Sequence, residues 1–308
     1  MCRRLLGPLC GGEREGGRFF LINSESETAL TKELPERAQP PELSHALPSH
    51  AMDALIASRH SVRAYLNQAV PKAMVQEILQ VAARAPSGSN IQPWRVYVLS
   101  GAALARVSRE VCLAHDQSAA HLVEPGKPSP FTAPYAYYPR QWTEPYLQRR
   151  RDNGWGLYKK LGIEKGEKDK MHRQHQANFL FFGAPVGLMF TLSKTLERGS
   201  MLDLGMFMQN TMLAAKARGL DTCPQAAWLP YASVVMPLLG ADPEQETLMC
   251  GMSLGYADTK ARVNDFHTPR ESVEGFAHWV SEPAACGVQS MEGQLHPTLD
   301  RHLSTSPP

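Results

Sequence analysis

The chain has 308 residues, 43% of them hydrophobic and 20% charged, which is enough apolar material for one large core or two modest ones. Thirty-two Lys and Arg against thirty Asp and Glu leave a formal charge of +2; this argues against a nucleic-acid binder or a polybasic membrane anchor, so any anion must be gripped by a local cluster. The six cysteines (Cys2, Cys10, Cys112, Cys223, Cys250, Cys286) contain no CxxC pair, which argues against a disulfide scaffold or cysteine-rich zinc site and fits a reducing cytoplasm.

Residues 1–48 are rich in Gly, Pro, Glu and Ser without helical or strand periodicity, and read as a disordered extension or an over-long predicted start. Arg3 and Arg4 precede Leu5, Leu6 and Leu9, but Gly7 and Pro8 interrupt a stretch too short for a signal-peptide core. No apolar run reaches the roughly 18 residues of a membrane span. The folded unit is expected at 49–282, with a flexible tail rich in Pro, Ser, His and Gly at 283–308.

Met52 to Ser58 reads as a short helix leading into Arg59. Pro71 to Ala85 is a stronger one, because Met74, Val75, Ile78, Leu79 and Ala82 share a face, Pro71 suits its first turn and Pro86 stops it. Trp94 to Leu99 alternates as a strand, and a helix follows from about Ala102 to Ala120. The apolar runs Val186 to Leu192 and Thr247 to Gly255 read as central strands. Between them, Leu202 to Arg218 is a helix that is apolar on most sides, with Gly219 as its C-terminal cap. Such a helix needs cover on more than one side, which favours a central position or a dimer interface.

Residues 121–178 interrupt this order with Pro and aromatic residues and read as an insertion or lid. Arg149 to His175 carries nine Lys and Arg against four Asp and Glu. It is either a solvated helix and loop or a surface that steers an anionic substrate or nicotinamide phosphate. The aromatic residues Phe131, Tyr135, Tyr137, Tyr138, Trp142, Tyr146, Trp155 and Tyr158 suit both stacking on an aromatic substrate and plain packing.

Two segments carry chemistry. Arg59-His60-Ser61-Val62-Arg63 sets two guanidinium groups four residues apart around a hydroxyl, directly after a helix. Planar bidentate donors of this kind bind a phosphate dianion, and Ser61 with backbone N–H groups can serve the remaining oxygens. Ala85-Pro86-Ser87-Gly88-Ser89-Asn90-Ile91-Gln92-Pro93-Trp94 joins a helix end to a strand start with small polar residues. Such a loop can lie against a flat ring, with the hydroxyls of Ser87 and Ser89 and the amides of Asn90 and Gln92 on the polar edge or ribityl chain of a flavin. The alternative is a capped turn with Gly88 left-handed.

Taken together, the two segments resemble the start of the nitroreductase family, in which an R-[RH]-S-x-R-like segment is followed one helix later by a P-S-x-x-N-x-Q-P-W loop. The resemblance continues through Gly219-Leu220-Asp221-Thr222-Cys223-Pro224-Gln225-Ala226-Ala227-Trp228, through Gly255-Tyr256-Ala257-Asp258 and through Thr268-Pro269-Arg270. The middle region, from Tyr138-Pro139 to Phe182-Gly183-Ala184-Pro185-Val186-Gly187, is similar to the nitrobenzoate-reductase branch. The resemblance implies an α+β fold, an α/β/α sandwich about a mostly antiparallel sheet. It also implies an intertwined homodimer in which both subunits line each FMN site. The cofactor-binding residues implied are Arg59, His60, Ser61, Arg63, Pro86, Ser87, Ser89, Asn90, Gln92, Gln225, Ala226, Ala227 and Arg270. Many members carry an acidic residue near Gln225; its absence here leaves amide or backbone groups for the flavin edge.

The implied activity is reduction of nitroaromatic compounds or quinones, with NADPH or NADH as donor in two-electron, ping-pong steps. The flavin carries the chemistry and no catalytic side chain is required. Dehalogenation, enone reduction, flavin fragmentation and non-catalytic flavin binding are the rival readings. A metal hydrolase, suggested by His172 with His175 and by His115 with His121, lacks HExxH spacing or a carboxylate cluster. Cys223 has no adjacent base and reads as a small packed side chain.

Overall fold

The structure, a computed structural model, describes residues 49–123 and 129–281. The expected extension at 1–48 and tail at 283–308 lie outside the described residues. Four strands form one antiparallel sheet: β1 (Arg95–Ser100), β2 (Val186–Ser193), β3 (Asp221–Gln225) and β4 (Glu246–Gly255), in the order β1-β2-β4-β3. Between Phe190 and Thr191 the β2–β4 register shifts by a bulge. The two central strands are the two apolar runs of the sequence, since a strand covered on both faces needs apolar residues at every position rather than at alternate ones. β2 is accordingly buried from Val186 to Leu192.

Helices cover both faces. On one side α2 (Lys72–Ala82) and α6 (Gly199–Lys216) pack Val75, Ile78, Leu204 and Phe207 against Leu188, Phe190, Met252 and Leu254. On the other, α3 (Gly101–Val123) and α7 (Ala232–Leu239) set Val107, Val111 and Val235 against Leu99, Met189 and Leu248, with Phe179, Phe181 and Trp228 between them. Met189 therefore faces one layer while Leu188 and Phe190 face the other, as the period of two requires. The fold is α+β, three layers thick.

The remaining helices are α1 (Ser49–Ser58), α4 (Tyr146–Leu161), α5 (Lys168–Gln176) and the short α8 (Val273–Phe276). The basic stretch is thus helical over most of its length, and neither α4 nor α5 has a fully buried residue. Its aromatic neighbours divide. Phe131 and Tyr135 pack on the core, and the Tyr135 hydroxyl donates to Met249 O at 2.8 Å. Tyr137, Tyr138 and Trp142 form a surface ladder with ring centroids 4.7 and 5.5 Å apart, and the Arg150 guanidinium lies 4.9 Å over the Trp142 ring. No described helix is long and apolar enough to cross a membrane.

Three details differ from the sequence expectation. β3 is an additional strand; its five residues include Asp221 and Pro224, too short and polar to stand out as a strand. The second helix ends at Ala82, a turn earlier than Pro86 alone suggests. In the loop after it, Gly88 is not the left-handed residue. Its N–H donates to Asp203 Oδ1 at 3.3 Å from a helical turn, and positive φ falls on Ser89 (49°), Asn90 (55°) and Gln92 (48°).

The sheet also explains a glycine. A Cβ at Gly251 would collide with the fully buried indole of Trp228. Gly251→Ala is expected to destabilise the protein by about 1–3 kcal/mol, the usual range for overpacking, as a lowered urea midpoint at unchanged slope; a midpoint equal to that of the parent contradicts this packing.

Candidate functional site

The segment after α1 is not free. Val62 N donates to Thr222 O at 3.1 Å, and Ser61 pairs in parallel with Thr222, so the segment runs beside β3 like a short fifth strand. Further on, Leu66 N donates to Tyr256 O at 2.8 Å, Asp258 N donates to Ala64 O at 3.0 Å, and Tyr65 bridges Ala257. The buried Asn264 locks the middle. Its Oδ1 accepts from Arg63 N at 2.7 Å, while its Nδ2 donates to Ala64 O and Asp258 O, both at 2.9 Å. Asn264 carried no motif signal in the sequence, because its partners are backbone groups, those of Arg63 and Ala64 201 and 200 residues away.

This docking opens a cleft of about 600 Å³ whose walls include Arg59, His60, Ser61, Arg63, His267 and Arg270. Asn153 of α4, Gln209 of α6 and Thr268 complete its polar lining, and no Asp or Glu among the described residues reaches it. Asn153, Phe266, Thr268 and Arg270 are shared with a neighbouring, more apolar trough that Arg149, Asp152, Pro269, Glu271 and Phe276 also line. Arg149 is there ion-paired to Glu271. Of the basic helix α4, only Asn153 lines the cleft itself.

The guanidinium groups are held by local bonds. Arg63 Nη1 donates to Ser61 O at 3.2 Å, and Arg270 Nη1 donates to Thr268 O, Thr268 Oγ1 and Pro269 O at 2.9, 2.7 and 3.0 Å. Burial, reinforced by the like charge of Arg270, pushes the Arg59 pKa below its ordinary value. The His60 ring stands 4.5 Å from that of His267, with its Nδ1 3.2 Å from Ser58 O. A donor set of three guanidinium groups and a hydroxyl, free of carboxylates, suits a phosphate dianion.

The other predicted residues fall elsewhere. Pro86, Ser87, Ser89, Asn90 and Gln92 do not line this cleft; their loop is anchored to α6 through Asp203. Ser87 Oγ accepts from Gln92 N at 3.0 Å, and Gln92 Nε2 donates to Asn90 O at 3.3 Å. The Gln225 side chain is buried and spent within the core, Nε2 donating to Asn178 O at 2.7 Å and Oε1 accepting from Ser253 Oγ at 3.0 Å. What this segment can offer a ligand is backbone, together with the half-buried Ala226 and Ala227. Cys223 is buried, and burial pushes its thiol pKa up, as suits a packed rather than a reactive side chain. Asn153, Gln209 and His267 are cleft residues that the motifs did not include.

Comparison with known proteins points the same way. The Nitroreductase family model matches residues 56–256. A 4-nitrobenzoate reductase of Pseudomonas putida is 39% identical over 235 residues, which cover 76% of this chain and 98% of that one. A chloronitrobenzene nitroreductase of Comamonas testosteroni is 40% identical over 234 residues, covering 75% and 97%. Among solved structures, the FMN-dependent nitroreductase NfnB from Mycobacterium smegmatis in complex with NADPH aligns with a TM-score of 0.69 at 32% identity, over 75% of this chain and 98% of that one. The chain therefore belongs to the nitroreductase family.

Proposed function

We propose that the chain binds FMN at this cleft and, with NADPH or NADH as donor, reduces nitroaromatic compounds, nitrobenzoates among them, and quinones. The observation that carries the reading is the cleft free of carboxylates, in which Arg59, Arg63 and Arg270 converge beside Ser61. Its relatives from Pseudomonas and Comamonas, named for nitrobenzoate and chloronitrobenzene, support the acceptor class. Bound FMN supplies two-electron redox chemistry between a nicotinamide and an aromatic acceptor.

The chain's own residues bind and orient. Arg59, Arg63, Arg270 and the Ser61 hydroxyl hold the phosphate, and His60 and His267 wall the same end. The backbone of Gln225 to Ala227 lies one strand away, since Ser61 pairs with Thr222 of β3, and serves the flavin edge. Ser87, Ser89, Asn90 and Gln92 complete the site from a second copy of the chain, with Pro86 setting the loop. Two observations support a homodimer. The loop stands outside its own cleft, and α6 leaves Met201, Leu202 and Met206 exposed, Leu202 at 73%. An apolar face of this kind calls for cover.

Arg270 is exposed and bonds only to its own segment, so Arg270→Ala is expected to fold normally. Loss of a charge-assisted hydrogen bond worth about 1.5–3 kcal/mol lowers FMN affinity roughly 10- to 150-fold, read by titration of flavin fluorescence; an unchanged dissociation constant removes Arg270 from the phosphate site. Donor and acceptor are both flat aromatic molecules that use one cleft in turn, so double-reciprocal plots of NADPH against 4-nitrobenzoate are expected to be parallel, and intersecting lines contradict the scheme. Sedimentation at micromolar concentration is expected to give a dimer, and a monomer carrying full flavin contradicts completion of the site by a second copy.

A further inference from the structure

A second cluster of chemistry-bearing side chains lies away from the cleft, where α5 packs on α3. His115 and Asp116 come from α3; His172 and His175 come from α5. A ring nitrogen of His115, a carboxylate oxygen of Asp116 and a ring nitrogen of His172 all lie within 4.8 Å of one another. His172 Nε2 is 2.7 Å from Asp116 Oδ1, and His175 Nδ1 is 3.1 Å from His115 Nε2. None of these residues lines the anion cleft.

The contacts inside this cluster leave something unspent. His115 is buried, and its Nδ1 has no hydrogen-bond partner among the described residues. An imidazole offers two ring nitrogens, and His175 accounts only for Nε2. The rings of His115 and His172 are stacked with centroids 4.2 Å apart. Gln176 Nε2 donates to Asp116 Oδ1 at 3.0 Å and orients the carboxylate from outside, the kind of second contact that metal ligands commonly have.

We propose that His115, Asp116 and His172 bind a divalent transition-metal cation of the zinc class, with His175 orienting His115 through its ring nitrogen. Two imidazoles and a carboxylate are an ordinary zinc donor set, leaving a fourth position for water. Two nitrogen ligands of a tetrahedral ion lie about 3.3 Å apart. The three donor atoms lie within 4.8 Å of one another, and side-chain rotation at the exposed Asp116 and the part-exposed His172 would bring them to that spacing. The bound ion would clip α5 to α3 and so anchor the segment that carries α4 along the cleft. Its role is structural, with no part in the flavin reaction. The sequence offers His115, His172 and His175 only as separate histidines without a metal motif; the packing of α5 on α3 brings them together with Asp116, 56 residues from His172.

The test is titration of zinc chloride into the untagged, flavin-loaded full chain, by calorimetry and by metal analysis after gel filtration. One zinc per chain is expected in the parent. Asp116→Asn preserves shape and hydrogen-bonding capacity at a half-exposed position, and is expected to weaken zinc binding at least about tenfold, as is His172→Gln. His175→Gln is expected to weaken it by roughly 10- to 100-fold as an orienting residue. All three variants should retain parental flavin content, which serves as the folding control. Absence of saturable zinc binding in the parent overturns the proposal, and so does binding that survives Asp116→Asn unchanged, because the zinc then sits on other histidines.

Discussion

Like charges do not gather unless something holds them. Arg59, Arg63 and Arg270 line one cleft that no Asp or Glu among the described residues enters, and the backbone that positions them is held by bonds of its own. Those bonds join uncharged backbone and amide groups: Val62 to Thr222, Leu66 to Tyr256, Asp258 to Ala64, and the three contacts of Asn264. Each contributes only about 1 kcal/mol net. They act on one stretch of seven or so residues, and the sheet behind that stretch is rigid. β4 is buried along almost its whole length between β2 and β3, so a segment that pairs with Thr222 and with the residues after Gly255 has a single register available.

The parts of this arrangement that were legible in the sequence are those whose signal is local. Arg59 to Arg63 carries its guanidinium groups four residues apart, and the apolar runs of β2 and β4 mark strands covered on both faces. The apolar sides of α6 were equally plain, and Leu202 and Met206 are indeed left uncovered by the single chain. Long-range partners were not legible. Asn264 binds backbone rather than side chains, so no residue type in the Arg63 segment announces it. β3 is hidden by Asp221 and Pro224, and it is a strand because β4 offers a free edge, a tertiary cause that local propensity does not contain. Gln225 sits within a recognisable segment, yet its amide turns inward to Asn178 and Ser253. Motif position alone does not say which way a side chain faces.

The inserted region shows the same limit from the other side. Its basic charge was open to steering or to a plain solvated helix and loop, and its aromatics to stacking on a substrate or to packing. In the fold, α4 spends Arg149 on Glu271 and places Arg150 over Trp142, while Phe131 and Tyr135 go to the core. What reaches the cleft from α4 is Asn153, and Gly156 is small where Phe266 presses against the helix. At this end the cleft and the apolar trough meet at Asn153, Phe266, Thr268 and Arg270.

These observations divide the work between chain and assembly. The arginine cleft is lined within one chain, by a segment clamped to its own sheet. The loop from Ser87 to Gln92 is finished locally as well, with three side-chain-bearing residues held at positive φ, a conformation costing of order 1–3 kcal/mol per residue outside the types that tolerate it. Strain of that size persists only where surrounding structure enforces it, and here the enforcing contact is Gly88 on Asp203 of α6. The helix that leaves its apolar face exposed is therefore the same helix that shapes the loop. On the proposed reading, one surface both joins two copies and delivers the loop of each to the cleft of the other, so that flavin affinity and subunit association are coupled through α6.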